Sequence, residues 1–125
     1  MKVSRQIDEA SGLVTLTVNG KVTYEGIIKA YGEMLGDPRF RKGASNLWDF
    51  RNADGDTIAG EDIQSVAALV ETTRKQRGEG YKVAFVVARD VDYGIARMYD
   101  GYAGRLPFEV MVFRSMDDAL KWIRM

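Results

Sequence analysis

The 125-residue chain contains no cysteine and no histidine. The first absence excludes disulfides, thiol nucleophiles and thiolate metal ligation. The second excludes imidazole ligands and every mechanism that needs an imidazole near neutral pH. Catalysis is left to Asp, Glu, Lys, Ser, Thr, Tyr and Arg, and no motif implies a cofactor or a metal. Net charge is missing as well: 18 basic residues balance 18 acidic ones, so no global field draws the protein to nucleic acid or to an anionic membrane, and neither is expected as a partner. No apolar run approaches the length of a bilayer span, and "MKVSRQIDEA" lacks a basic-then-apolar leader pattern. A soluble, cytoplasmic protein is expected. Repeats, low-complexity tracts and linkers are absent too. The length fits one domain, residues 1–125, able to bury roughly two-thirds of its unfolded surface.

What is present is periodicity. "KVSRQID" and "LVTLTVN" alternate apolar and polar residues around "EASG", which predicts an N-terminal hairpin turned by Ser11-Gly12 and buried on one face. Thr23 is placed to cap a helix with the stripe Tyr24, Ile27, Ile28, Tyr31, Met34 and Leu35, ended by Gly36 and Asp37-Pro38. "NLWDF" predicts a short strand. A helix follows over Glu61 to Arg77, with Ile63, Val66, Ala67, Val70 and Thr73 inward. "KVAFVVA" and "FEVMVFR" are strands, Asp92 to Arg105 a helix with Ile95, Met98, Tyr99 and Tyr102 on one side, and Ser115 to Met125 a helix opened by a Ser115/Asp118 capping box.

The order β-β-α-β-α-β-α-β-α, with strands about every thirty residues, predicts an α/β fold of βαβ units on a five-stranded, mostly parallel sheet with one antiparallel edge strand. If strands are always added on the same side, right-handed crossovers put every helix on one face and leave the other bare. Yet "KVAFVVA" and "VMVF" are apolar on both faces, so the second face needs a cover. A helix that changes sides, a second protomer or an apolar ligand would each supply it.

The hairpin, "LWDF", "KVAFVV", "YGIARMY" and the closing "VFRSMDDALKWI" together resemble the STAS-like proteins, whose best-known members are bacterial anti-sigma-factor antagonists. The resemblance covers nearly the whole chain and is greatest to a small stand-alone branch with no assigned activity. It implies a non-enzymatic module that binds a protein partner or a small ligand. Antagonists of this type carry a phosphorylatable Ser in an Asp-Ser motif. Asp56-Thr57 lies nearest to that place, so Thr57 is the candidate phosphosite, although the Ser-Ser-Gly signature is missing. Lipid-binding CRAL-TRIO domains are related in outline, which implies, as an alternative, a carrier of a small apolar or lipid-like ligand.

In open parallel sheets the functional crevice lies at the carboxyl ends of the strands. Asp49, Arg51 and Asp54, then Arg89, Asp90 and Asp92, then Arg114 and Ser115 are expected there. They form either a polar pocket for an anionic molecule or a phosphorylated partner, or a set of helix caps and mutual ion pairs. Asp49 beside aromatic residues is also a candidate general acid if burial raises its pKa, the basis of a weaker enzymatic alternative. "NADGDTI" matches part of an EF-hand loop through Asn52, Asp54, Gly55 and Glu61, but Phe50 occupies the first ligand position, which argues for a plain βα turn. "DYGIARMYDGYAGRLP" carries Tyr93, Arg97, Tyr99 and Tyr102 on a helix weakened by three glycines, each costing about 1 kcal/mol. It is the candidate wall or lid of a ligand site. A homodimer is the expected assembly.

Overall fold

In the computed structural model, which describes residues 1–125, the hairpin forms from β1 (Lys2–Ile7) and β2 (Val14–Lys21). Val3 sits opposite Val18 and Ile7 opposite Val14, so both strands send these apolar residues to one face. The turn runs from Asp8, whose carboxylate accepts from Ala10 N and Ser11 Oγ, to Gly12, whose φ of 80° is in the left-handed region that glycine tolerates. Thr23 caps α1 (Tyr24–Gly36) by accepting from Gly26 N at 3.0 Å. Then follow β3 (Asn46–Asp54), α2 (Gly60–Thr72), the single turn α3 (Arg74–Arg77), β4 (Lys82–Val86), α4 (Asp90–Ala103), β5 (Glu109–Phe113) and α5 (Met116–Ile123).

Sheet order is β1-β2-β3-β4-β5, with β1 antiparallel and the remaining pairs parallel. Each of the three crossovers therefore steps one strand in the same direction, and α1, α2 with α3, and α4 all land on one face. There Trp48, Val83 and Phe85 from the sheet meet Tyr31, Met34, Ile63, Val70 and Tyr99 from the helices in the larger core. The second face is closed by α5, which lies outside any crossover and is free to change sides. Its Ala119 and Ile123 pack on Leu47, Ala84 and Val86. Ser115 caps α5 by accepting from Asp118 N, and Lys82 Nζ donates to the carbonyls of Trp122 and Met125 at its other end. Elsewhere on this face Thr15, Thr17, Asp49 and Arg51 are polar, so only the patch around Leu47, Ala84 and Val86 needed a cover.

Three local expectations change. The strand expected as "NLWDF" continues to Asp54 through a bulge: two steps from Thr17 to Asn19 on β2 match three from Asp49 to Asn52 on β3. The helix expected over Glu61 to Arg77 is interrupted at Thr73, whose hydroxyl bonds back to the carbonyls of Leu69 and Val70. On α4 the inward residues are Asp92, Ala96, Tyr99 and Ala103, while Met98 and Tyr102 are exposed. Small residues let that helix lie close to its neighbours and leave the larger ones on its flank.

Candidate functional site

The larger core is not completely filled. Between the sheet and helices α1, α2 and α4 lies a cavity of about 100 Å³, and sixteen of its twenty lining residues are hydrophobic. Strand alternation builds its floor, because Asn46, Trp48 and Phe50 of β3 and Val83, Phe85 and Val87 at β4 share one face. Asn46 to Phe50 spans about 13 Å at the usual strand rise. Ile27 and Tyr31 of α1, Ile63, Val66 and Val70 of α2, and Ile95, Ala96 and Tyr99 of α4 form the roof.

The two ends of the cavity differ. At the carboxyl ends of the strands Phe50, Ile58 and Ile95 are half-buried, and this end opens toward solvent. At the amino ends Tyr31, Asn46, Arg77 and Tyr81 are all buried. Arg77 is 1% exposed, and neither of its terminal nitrogens has a hydrogen-bond partner. Asn46 Oδ1 is likewise unpartnered, its amide nitrogen reaching only Met34 Sδ at 3.5 Å. The Arg77 guanidinium carbon lies 3.4 Å from the centroid of the Tyr81 ring and 5.4 Å from that of Phe40. Burial pushes the Arg77 pKa down, against the attraction of the neighbouring tyrosines. Burial also raises Tyr81 to about 12 and moves Tyr31 and Tyr99 upward, so all three phenols stay neutral. Nothing around Arg77 supplies a negative charge.

Its position is set locally. The break at Thr73 starts a new turn, and Tyr31 shares a 2.8 Å hydrogen bond with Thr73 Oγ1. The turn ends at Gly78, φ 94°, where a Cβ would fall on the backbone of Gly43; Gly43 N in turn donates to Arg77 O at 2.8 Å. Both glycines are needed for this approach, and it holds Arg77 pointing inward.

The polar residues expected at the carboxyl edge do gather there, but they satisfy one another. Arg89 donates to Asp92 at 2.8 Å, to Asp56 at 2.8 Å and to Asp54 at 3.3 Å. Arg114 donates to Asp90 at 2.6 Å and lies 4.9 Å from the Tyr93 ring centroid. Asp92 also accepts from Gly55 N at 3.1 Å, which ties the loop after β3 to α4 across the open end of the cavity. The acidic residues of "NADGDT" are thus counter-ions of Arg89. Ser115 caps its helix, whereas Asp90 and Asp92 do not; α4 begins at Arg89 without a side-chain cap.

Asp49 sits on the α5 face of the sheet, away from the cavity. The bulge lets Arg51 bond it twice through the guanidinium, at 2.9 Å each, and once through its backbone N at 3.1 Å. Burial alone would raise the Asp49 pKa, but these bonds and the Arg51 charge outweigh it and hold the carboxyl below its usual range. A general acid requires the opposite shift.

No protein-family model matches the chain, and no curated protein does. Among solved structures it is similar to an uncharacterized protein of the DUF3478 family from Shewanella loihica PV-4, described as having a SpoIIAA-like fold. The TM-score is 0.61 at 18% identity, over 98% of this chain and 92% of that one. The fold is SpoIIAA-like. That agrees with the STAS-like resemblance of the sequence motifs.

Within this SpoIIAA-like frame the remaining candidates are dispersed. Thr57 is exposed in the turn before Gly60, where α2 begins, and Arg97 is exposed on α4. Tyr99 lines the cavity, whereas Tyr93 packs under Arg114 outside it. Sequence reasoning missed Arg77 and Asn46. A signal for Arg77 existed: the inward stripe of Ile63, Val66, Val70 and Thr73 reaches residue 77 after one more turn. No helix is long and apolar enough to cross a membrane.

Proposed function

We propose that the protein is a non-enzymatic binding module that holds a small, mainly apolar molecule in the cavity beneath α1, α2 and α4. The observation that carries this reading is the cavity itself: apolar, walled by the tyrosine-bearing helix, and open at the edge where α/β sheets bind ligands. Its volume of about 100 Å³ limits the occupant. Drug-sized pockets run to about 300–1,000 Å³, and an engineered dry cavity of about 150 Å³ takes up benzene. A short branched chain fits, a ring fits only by reaching into the open end, and an extended acyl chain does not fit, so the CRAL-TRIO analogy holds in outline rather than in cargo.

Native mass spectrometry of the protein purified from its own cells tests the reading. An added mass of small-molecule size that is lost on denaturation is expected. Bare chains, together with no amide shift around Val83 and Tyr99 on adding benzyl alcohol to millimolar excess, would remove it.

A second reading, recognition of a protein partner or of a second copy of the chain, draws on one feature of α4. Val91, Met98 and Tyr102 are 46%, 40% and 45% exposed and share one side of the helix. Under this reading, sedimentation velocity shows a concentration-dependent dimer that Met98→Glu dissociates. A monomer at every concentration ends the dimer form of it.

A further inference from the structure

We propose that the cavity takes a small monocarboxylate, inserted carboxylate first, with its two oxygens on the terminal nitrogens of Arg77. This rests on the binding-module reading and adds the chemical class of the ligand.

The argument starts from how Arg77 is held. Its guanidinium lies against the face of Tyr81, 3.4 Å from the ring centroid. Stacking of this kind uses the face of the guanidinium and leaves its in-plane N–H donors free. Those donors are the ones left without a partner, in a side chain only 1% exposed to solvent. A buried cation with unused donors and no counter-ion is a costly arrangement, and an apolar residue of similar size would remove the cost. The protein instead builds two positive-φ glycines, Gly43 and Gly78, around the turn that keeps Arg77 inside. The arginines at the carboxyl edge of the sheet, Arg51, Arg89 and Arg114, all have carboxylates of this chain within hydrogen-bond distance. Arg77 is the one whose partner has to come from outside.

The geometry then selects the ligand. The cation lies at the closed end, its terminal nitrogens sealed from water, so a carboxylate reaches them as the Arg77 side chain turns toward the cavity; the apolar walls run from there to the open end, so the site matches a molecule with a charged head and an apolar body. A planar fork of two N–H donors pairs with the two oxygens of a carboxylate. One cation neutralises a monoanion, whereas a phosphate dianion would leave an uncompensated charge in an apolar surrounding. The volume of about 100 Å³ holds the carboxylate and a short branched chain, and a ring reaches on into the open end. Asn46 also lines the cavity, and its buried, unpartnered Oδ1 is a second group that a ligand hydroxyl can satisfy once the side chain shifts.

The test compares benzoate with benzyl alcohol, which has similar shape and no charge, by calorimetry and by amide chemical shifts of the wild-type protein and of Arg77→Met. Benzoate is expected to bind the wild type at least about tenfold more tightly than benzyl alcohol. Arg77→Met is expected to abolish that preference. Equal affinity of the two compounds for the wild type would overturn the carboxylate assignment and leave the binding reading in place. No binding of either, with the unpaired groups satisfied by a buried water alone, would overturn both. The wild-type ratio decides the matter even if Arg77→Met fails to fold.

Discussion

The two faces of the sheet are built from the same strands and packed to different standards. On the α5 face Leu47, Ala84, Val86 and Ala119 are each 0% exposed. Alanines on both the strand and the helix let the two approach closely, and the five buried residues at the contact are all apolar. On the other face the core is four times larger, twenty buried residues against five, yet it retains a cavity and two unpartnered polar side chains. Tight packing gives the last increments of stability and a unique structure. A void beside a buried cation gives neither. The small face works as a clamp, and the large face gives up some packing around Arg77 and Asn46.

The strongest way to break this comparison is to truncate one side chain on each face. Leu47→Ala, in the clamp, is expected to lose about 3–5 kcal/mol of unfolding free energy, since the close-packed surroundings collapse little. Val66→Ala, on the half-buried wall of the cavity, is expected to lose about 1 kcal/mol. Urea unfolding monitored by tryptophan fluorescence measures both, and equal losses would mean that the faces do not differ in packing.

Gly78→Ala comes next, with an expected loss of about 2 kcal/mol or more, from the positive φ and the collision with the Gly43 backbone. The same denaturation curve checks it. Arg77→Met sharpens the comparison through its sign. Removing an uncompensated buried cation is expected to gain about 1–2 kcal/mol in the ligand-free protein, so a large loss would mean that Arg77 has a partner in solution.

A smaller effect depends on pH. Arg39, through its side chain and its backbone N–H, and then Arg5, hold the Asp37 carboxyl well below the usual range, and Arg51 holds Asp49 below it. Folded pKa values below the unfolded value of about 3.9 contribute stability that is complete above that pH. It is lost as the pH falls through the folded values, because the unfolded chain binds protons that these carboxylates refuse. The urea midpoint is therefore expected to stay level from pH 7 to about pH 5 as far as these groups are concerned, and then to drop. Asp37→Asn should flatten that drop. The smallest expected effect is at the carboxyl edge, where Asp90→Asn removes the exposed partner of Arg114 and should change stability by less than about 0.5 kcal/mol. A larger change would show that the charged edge is a cooperative network.

Much of the fold is legible in local pattern. Alternation in β1 and β2, the Thr23 and Ser115 caps and the spacing of the strands are properties of residues close together in the chain, and the structure has them where the pattern places them. The candidate site is legible only in part. Tyr99 and the open carboxyl edge follow from the pattern and from the habit of parallel sheets. The bulge after Asp49 does not, because it arises from the register between β2 and β3, nor does the inward face of α4, where Ala96 and Ala103 replaced the larger Met98 and Tyr102 that periodicity favours.

What the sequence by itself determined is the order of elements and the right-handedness of the βαβ crossovers, since both depend on local sterics and connection geometry; that α1, α2 and α4 share one face required the sheet order β1-β2-β3-β4-β5 of the tertiary structure. Only the tertiary structure decided that α5 takes the opposite face, because a helix outside any crossover is not bound by that handedness. Only the tertiary structure, likewise, decided which charges meet. Arg89 finds Asp54 and Asp56 more than thirty residues away, and Arg77 finds no carboxylate. Pairing depends on distances of a few ångströms between segments remote in the chain, and no spacing along the chain encodes them.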